Sequence, residues 1–245
     1  MVDFAYLQKN PEHGEFISVP IYTLWDGCRQ LGIQTKSFTQ DEINTIDISR
    51  ETLVTGGVGI VRKAFTRLGV PQPTVGEIPP KEVLDLYGRH IWSTTMAEVR
   101  QGYEDGKHFF IKPLKMHKEF SGHVTSGDIS RLAMTAYLPN DFEILASEIM
   151  NFQSEYRLFI HKGKIVSCKF YRGDFRKLVD FAVAEAFLEK IQNPPIGYSL
   201  DLGVAENEKT YIVEINDAFS LGNYGLSSII YTKIVIDRWE EIVGI

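Results

Sequence analysis

A proline-rich segment divides the chain into two parts. Four prolines lie in VPQPTVGEIPP (70–80), namely Pro71, Pro73, Pro79 and Pro80. Because proline lacks a backbone N–H and fixes φ, this segment excludes both a helix interior and a central strand. We therefore predict a domain boundary here, with a small domain at 1–80 and a larger one at 81–245.

The first part alternates strand-like and helix-like patterns. FISVPIY (16–22) and ETLVTGG (51–57) predict strands. VGIVRKAFTRLG (58–69) predicts a helix, because its apolar residues repeat at helical spacing before a terminal glycine. This alternation indicates a small α/β domain.

A glycine cluster lies between the second strand and that helix, where phosphate-binding loops often occur. The spacing of Gly56, Gly57 and Gly59 fits neither G-x-G-x-x-G nor a loop ending in G-K-[ST]. A tight turn explains it adequately. If the cluster has a functional role, we favour binding of a second substrate over binding of a nucleotide.

The second part predicts a mixed arrangement of strands and helices. Helices are expected at about 81–100 and 175–191, and strands at 108–114, 143–150, 156–172 (a hairpin about Lys162 and Gly163), 198–205 and 211–216, with a polar loop at 115–128.

Composition limits the class of protein. The chain has 245 residues, 44% of them hydrophobic and 24% charged, which is typical of soluble globular proteins. Its net charge of -6 and the lack of a dense basic block argue against duplex nucleic acid as a partner. Cys28 and Cys168 lack metal-site spacing and are expected to be buried thiols. With no signal-peptide pattern and no membrane-length apolar run, we expect a cytoplasmic protein without membrane contact.

The strand YIVEIND (211–217) carries polar groups on one face. Side chains alternate along a strand, so Glu214 and Asn216 share one side while Val213 and Ile215 share the other. The ordinary interpretation is a half-exposed strand whose polar face meets water, and this strand alone favours it. The alternative is a Mg²⁺ site, because both polar groups are hard oxygen donors.

A preceding strand strengthens the metal interpretation. YSLDLGV supplies Asp201, and the short polar connection ENEKT predicts an antiparallel hairpin with the last strand. Such a hairpin can align Asp201 with Glu214 and Asn216, so that three oxygen ligands converge. We therefore interpret the polar face as a Mg²⁺ site.

Two further segments suit a nucleotide. FIKPL ends a strand with Lys112, and Gly122, Ser126 and Gly127 follow in a loop small enough to close over phosphates. In ILASEIMNFQSEYRLFI, the backbone at Glu148–Met150 can meet a purine.

Charged residues follow on two strands. Glu155 can accept ribose hydroxyls, and Arg157 alternates onto its face. Lys169 and Arg172 lie near the end of the hairpin. For each of these segments alone, a surface ion pair or a solvated charge is the simpler interpretation.

Together, the order F-I-K-P, a small-residue loop, A-S-E-I-M, S-E-Y-R, L-D-L-G and V-E-I-N resembles the ATP-grasp superfamily. The nearest resemblance is to a clade of small, often phage-encoded proteins named for one Arg and two Lys. It implies an α/β (α+β) fold: an ATP-grasp domain whose two α+β subdomains, about 81–147 and 148–245, clasp ATP, preceded by a small α/β domain.

The resemblance also implies roles for individual residues. The nucleotide would be held by Arg89, Lys112, Glu148, Ile149, Met150 and Glu155; Mg²⁺ by Asp201, Glu214 and Asn216; and the γ-phosphate and acyl phosphate would face Arg157, Lys169 and Arg172. Two positions depart from the pattern. Arg89 stands where many members carry Lys, and Asp217-Ala218-Phe219 replaces the familiar Pro-Gly.

The implied reaction uses ATP and Mg²⁺ to activate a carboxylate as an acyl phosphate, which an amine then attacks to give an amide and ADP. The implied partners are small-molecule, amino-acid or peptide carboxylates and amines, and a homodimer stays open. Two alternatives remain: phosphoryl transfer to a small molecule, and a non-catalytic ATP-binding regulatory module. The intact metal ligands argue against the second.

Overall fold

The computed structural model describes residues 1–73, 78–114, 119–126 and 133–245. Helices within these ranges are α1 (Val19–Leu31), α2 (Val58–Arg67), α3 (Met96–Glu104), α4 (Phe181–Lys190) and α5 (Ser228–Val243). Strands are β1 (Phe4–Gln8), β2 (Gln34–Phe38), β3 (Thr52–Thr55), β4 (Ile91–Thr95), β5 (Phe110–Pro113), β6 (His123–Val124), β7 (Glu143–Ser147), β8 (Phe152–His161), β9 (Lys164–Gly173), β10 (Gly197–Ala205) and β11 (Thr210–Asp217).

The first sheet is parallel, with strand order β2-β1-β3. The predicted strand at 51–57 and helix at 58–69 are confirmed as β3 and α2. The predicted strand at 16–22 is wrong, because α1 begins at Val19. Pro20 in the first turn suits a helix start, and Ile21, Leu24 and Cys28 are buried at helical spacing.

The remaining strands form two antiparallel sheets of four strands each, in the orders β4-β7-β5-β6 and β11-β10-β8-β9. The predicted helix at 81–100 is wrong. A 3-10 helix (Lys81–Tyr87) ends at Gly88, which has φ +60°, and β4 follows before α3 begins. Thr95 and Glu98 cap α3 reciprocally, which fixes its start.

The predicted hairpins are confirmed. Lys162 and Gly163 both have positive φ, 50° and 71°, as a two-residue turn between twisted strands requires. β10 and β11 pair antiparallel with Asp201 opposite Glu214, and the ladder shifts next to Asp201, which leaves Val213 as an extra bulged residue.

The predicted helix at 175–191 is confirmed only in part. α4 begins at Phe181, where the side chain of Asp180 accepts a hydrogen bond from the backbone N–H of Ala182. Leu178, which helical spacing assigned to a core face, precedes the helix and is 75% exposed. An Asp that caps a helix in this way fixes its first turn and excludes the preceding residues.

Three hydrophobic cores stabilise the molecule. One surrounds the parallel sheet and includes Tyr231, Ile234 and Trp239 of α5, so the last helix packs against the first part of the chain. The second lies between the β8-to-β11 sheet and α4, and the third lies under β4 to β7 and α3. The division at residue 80 stays a prediction.

Two smaller expectations concern cysteines and membranes. Cys28 is buried as expected, whereas Cys168 is only half-buried, and both are free thiols. In the ranges that the structure covers, no helix combines the length and hydropathy that crossing a membrane requires.

Candidate active site

Four charged side chains form one row across the β9-β8-β10-β11 sheet. The register pairs Lys169 with Arg157, Arg157 with Asp201, and Asp201 with Glu214. Directly opposed residues in an antiparallel pair point to the same face. The pairing therefore brings four of the predicted site residues into one row, two cations followed by two carboxylates.

Arg157 and Asp201 make the closest contact in this row. The Nε and Nη2 atoms of Arg157 donate to Oδ1 and Oδ2 of Asp201 at 2.8 and 2.6 Å. Both side chains are buried, 7% and 1% exposed, while Oε1 of Glu214 lies 3.9 Å from Nη2. Burial raises the pKa of Asp201 to about 6, although the hydrogen bonds and charge of Arg157 act in the opposite direction.

Glu155 is held by two residues of β9. Tyr171 donates its hydroxyl to Oε2 at 2.7 Å, and Nη1 of Arg172 donates to Oε1 at 2.8 Å. The sequence predicted Glu155 and Arg172 as site residues but not Tyr171. Arg172 pairs with Glu155 in the ladder, and the register shift beside this pair leaves Tyr171 as an extra residue, which a strictly alternating pattern does not show.

Tyr224 is a second residue that the sequence analysis missed. Its ring lies under the guanidinium of Arg157, 4.7 Å from the ring centroid, and 5.1 Å from the ring of Tyr171. The residue has φ +42° and is 45% exposed. The flanking Gly222 and Gly225 marked a turn here, but nothing in the sequence placed that turn over Arg157.

A cleft of about 1040 Å³ lies between the two antiparallel sheets. Its wall includes most of the predicted site residues: Arg89, Lys112, Glu148, Ile149, Met150, Glu155, Arg172 and Glu214. Arg157, Lys169, Asp201 and Asn216 are not part of this wall. The fold therefore brings the predicted nucleotide residues together and puts the charged row at their side.

Lys112 occupies the cleft as an unpaired cation. It lies half-buried on β5, and across the ranges that the structure describes it makes neither a hydrogen bond nor an ion pair. Burial lowers the pKa of its ammonium, while the negative charge of Glu214 acts to raise it. A partly desolvated ammonium without a partner is costly to keep, so an anionic ligand would complete it.

Arg89 braces the bulge in β11. Its Nη1 and Nη2 atoms donate to the carbonyls of Ile212 and Val213, both at 2.8 Å. The guanidinium also lies near the rings of Tyr87 and Phe152. Arg89 thus has a structural role beside the cleft, and its predicted contact with a nucleotide stays a prediction.

The predicted purine-binding edge is divided in use. Glu148 accepts the N–H of His90 with its carboxylate at 2.9 Å and donates its own N–H to the carbonyl of His90 at 3.1 Å. The backbones of Ile149 and Met150 make no hydrogen bond within the described ranges. These two residues therefore offer free donors and acceptors to the cleft.

The predicted metal ligands differ in their availability. Glu214 lines the cleft with a side chain that is 39% exposed, and Nδ2 of Asn216 donates to its Oε1 at 2.9 Å. Asp201 has both oxygens bound by Arg157. The carboxylate of Glu214 and the amide oxygen of Asn216 are the hard donors that Mg²⁺ accepts. These two fit such an ion, with Asp201 beside them in the row.

The remaining predicted features lie outside the site. Gly57 donates its N–H to Oε1 of Gln8 at 2.8 Å, and a side chain at Gly56 would collide with the same oxygen. A tight turn thus accounts for the glycine cluster. In the predicted phosphate loop, Gly122 lines the cleft, whereas Gly127 lies outside the described residues.

The arrangement of two antiparallel sheets around a cleft is an ATP-grasp fold. The chain is similar in structure to D-cycloserine synthetase DcsG, with TM-score 0.60, 14% identity and coverage of 96% of this chain and 99% of that one. It is also similar to a RimK domain protein from Sphaerobacter thermophilus DSM 20745, with TM-score 0.56, 13% identity and coverage of 99% and 98%. The Bacillus anthracis D-alanine–D-alanine ligase complexed with ATP gives 0.55, 13%, and 98% of both chains.

At these identities the structures establish the fold, and a sequence model establishes the family. The model of an ATP-grasp domain, family 2 of the clade named for one Arg and two Lys, matches residues 86–234. The chain therefore belongs to this clade of the ATP-grasp superfamily, as the motifs predicted. No curated protein matches the chain.

Proposed function

We propose that this protein is an ATP-dependent carboxylate–amine ligase that forms an amide through an acyl phosphate. The observation that carries the proposal is Lys112, a partly desolvated ammonium that faces the cleft without a partner among the described residues. A phosphate chain is the anion that such a cation, next to a free backbone edge, would accept.

The nucleotide would lie between the two antiparallel sheets. The free backbone groups of Ile149 and Met150 would bind the purine edge, and Phe110 and Leu145 supply apolar wall. Glu155 would accept the ribose hydroxyls, because each carboxylate oxygen has a second lone pair beyond the bonds from Tyr171 and Arg172. Lys112 would meet the phosphates.

The transfer step would occur beside the charged row. Attack of a carboxylate on the γ-phosphate brings two anions together, so positive charge must already be in place. Arg157 is preorganised for this role, since Asp201 fixes its plane and Tyr224 covers its face. Lys169, opposite Arg157, and Arg172, on the cleft wall, would add further positive charge.

Glu214 and Asn216 would hold Mg²⁺, which when bound would neutralise the phosphate oxygens during transfer. Glu214 would thereby keep its negative charge in the cleft without repelling the nucleotide. Three solved structures with this fold carry printed names of a synthetase, a RimK domain protein and a ligase, which supports ligase chemistry over other uses of ATP.

Stimulated ADP release tests the proposal. The full chain would be incubated with Mg-ATP and a panel of amino acids and short peptides, and ADP would be measured with each carboxylate, each amine and both. A ligase requires both for full turnover. Added hydroxylamine should intercept the acyl phosphate as a hydroxamate when the amine is withheld.

Other outcomes would contradict the proposal. Phosphorylation of a hydroxyl compound, with no hydroxamate, would indicate a phosphotransferase. Stabilisation by Mg-ATP without ADP release under any substrate pair would indicate a binding module.

A further inference from the structure

The outermost strand of the β9-β8-β10-β11 sheet is long and open. None of the ten residues of β9 is buried, whereas all nine residues of β10 are. Across the described ranges, no strand and no turn or loop backbone group bonds the outer side of β9. A long strand with a free row of N–H and C=O groups is a template for another strand.

One face of this edge is uniformly basic. The chain carries a net charge of -6, yet no Asp or Glu occurs between Lys162 and Gly173. Lys164, Lys169 and Arg172 pair with alternate residues of β8 and therefore share a face. Among the described residues, Lys164 and Lys169 form no ion pair, so their charges are free to attract a partner.

The other face of the edge is apolar and exposed. Phe170 pairs with Tyr156 and is 38% exposed, because α4 covers the inner strands and leaves this one open. Phe175 packs against Phe170 with ring centroids 6.4 Å apart and is 68% exposed. Val166 on the same strand is also exposed. Lysines alone would be an ordinary protection against aggregation, but they do not explain aromatic side chains left in water beside them.

We propose that β9 binds an extended segment of another protein, which joins the sheet as a fifth strand. Because side chains alternate along a strand, the segment that fits has acidic residues on the side of Lys164, Lys169 and Arg172 and apolar residues on the side of Phe170. A second copy of this chain fits poorly, since pairing two β9 edges would oppose like charges. This proposal does not depend on the reaction proposed above.

A synthetic peptide tests the surface directly. The probe is a short fluorescein-labelled peptide in which glutamate alternates with valine, and its binding to the full chain is followed by fluorescence anisotropy. One control peptide has lysine in place of glutamate. A second carries N-methyl groups that prevent ladder hydrogen bonds. We expect the glutamate peptide to bind, to weaken with added salt, and to slow amide exchange in β9, while neither control binds.

Two variants locate the contact. Lys164→Glu, which lies outside the proposed catalytic and nucleotide residues, should weaken binding about threefold to tenfold, because an attraction becomes a repulsion at an exposed site. Lys63→Glu, an equally exposed charge reversal on α2, should leave binding unchanged.

The proposal would be overturned by an absence of binding, by equal binding of the lysine peptide, or by a Lys164→Glu variant that binds as well as the parent. A concentration-dependent dimer whose formation protects the amides of β9 would assign this edge to a second copy instead.

Discussion

The guanidinium of Arg157 binds both carboxylate oxygens of Asp201, from directly opposite positions on neighbouring strands. The sequence had assigned these residues to different tasks, one to phosphate and one to metal. In the structure each is the other's partner, and Glu214 lies one strand further along the same row. The predictions below follow from this row and its surroundings.

Removing one partner of the buried pair should cost more than removing both. Asp201→Ala leaves a buried guanidinium uncompensated, so we expect the free energy of unfolding to fall by about 3 kcal/mol or more. Arg157→Met combined with Asp201→Leu should be less destabilised than Asp201→Ala. Urea unfolding provides the measurement. Asp174→Ala, which breaks the exposed pair with Arg176, is the control and should cost less than about 1 kcal/mol.

Lys112→Met should separate stability from ligand binding. The substitution removes an unpaired, partly desolvated charge, so the ligand-free protein should become no less stable and even gain about 1 kcal/mol. The rise in melting temperature that Mg-ATP gives the parent should shrink or disappear. Thermal unfolding with and without Mg-ATP checks both statements. A variant that is clearly less stable without ligand would show that Lys112 has a structural partner.

Glu214→Gln should impair turnover and spare the fold. The side chain is 39% exposed and contacts Asn216, so its charge adds little to the core. We expect ADP release to fall on the order of a hundredfold, because a metal ligand loses its charge, with unfolding unchanged within about 0.5 kcal/mol. Glu185→Gln, on the exposed face of α4, is the matched control. Loss of folding in Glu214→Gln would favour the ordinary interpretation of the strand.

Tyr224 should act through its ring. Tyr224→Phe keeps the face that covers Arg157 and should retain most activity. Tyr224→Ala removes that face, and the loss of a cation–π contact of about 1–2 kcal/mol predicts a rate roughly tenfold or more lower. Steady-state kinetics should show the loss in kcat more than in the KM for ATP. Equal effects of both substitutions would assign the role to the hydroxyl instead.

Gly88→Ala tests the turn before β4. Gly88 has φ +60°, and a Cβ there would lie 2.2 Å from the ring of Tyr211. We expect a loss of more than about 2 kcal/mol, from backbone strain and collision together. Gly106→Ala, at φ +74° with nothing within 4 Å, isolates the backbone cost of about 1 kcal/mol. Equal losses in urea unfolding would remove the collision from the account.

Local signals predicted local structure well. The turn at Lys162 and Gly163 and the hairpin that aligns Asp201 with Glu214 followed from short connections and strand alternation, which act between neighbours in sequence. The same signals failed at 16–22 and at 81–100. Those apolar runs suit either helix or strand, and the sheet that each packs against decided between the two.

The sequence by itself determined which residue types meet in the ATP-grasp motifs, because strand alternation fixes the faces on which Lys112, Glu155, Glu214 and Asn216 stand. Only the tertiary structure decided what those residues touch. The pairing of Arg157 with Asp201, the brace from Arg89 to the β11 bulge and the cover of Tyr224 join residues that are distant in sequence. Such contacts depend on strand register and bulge position, which no single segment encodes, since they are set when the sheets and helices pack together.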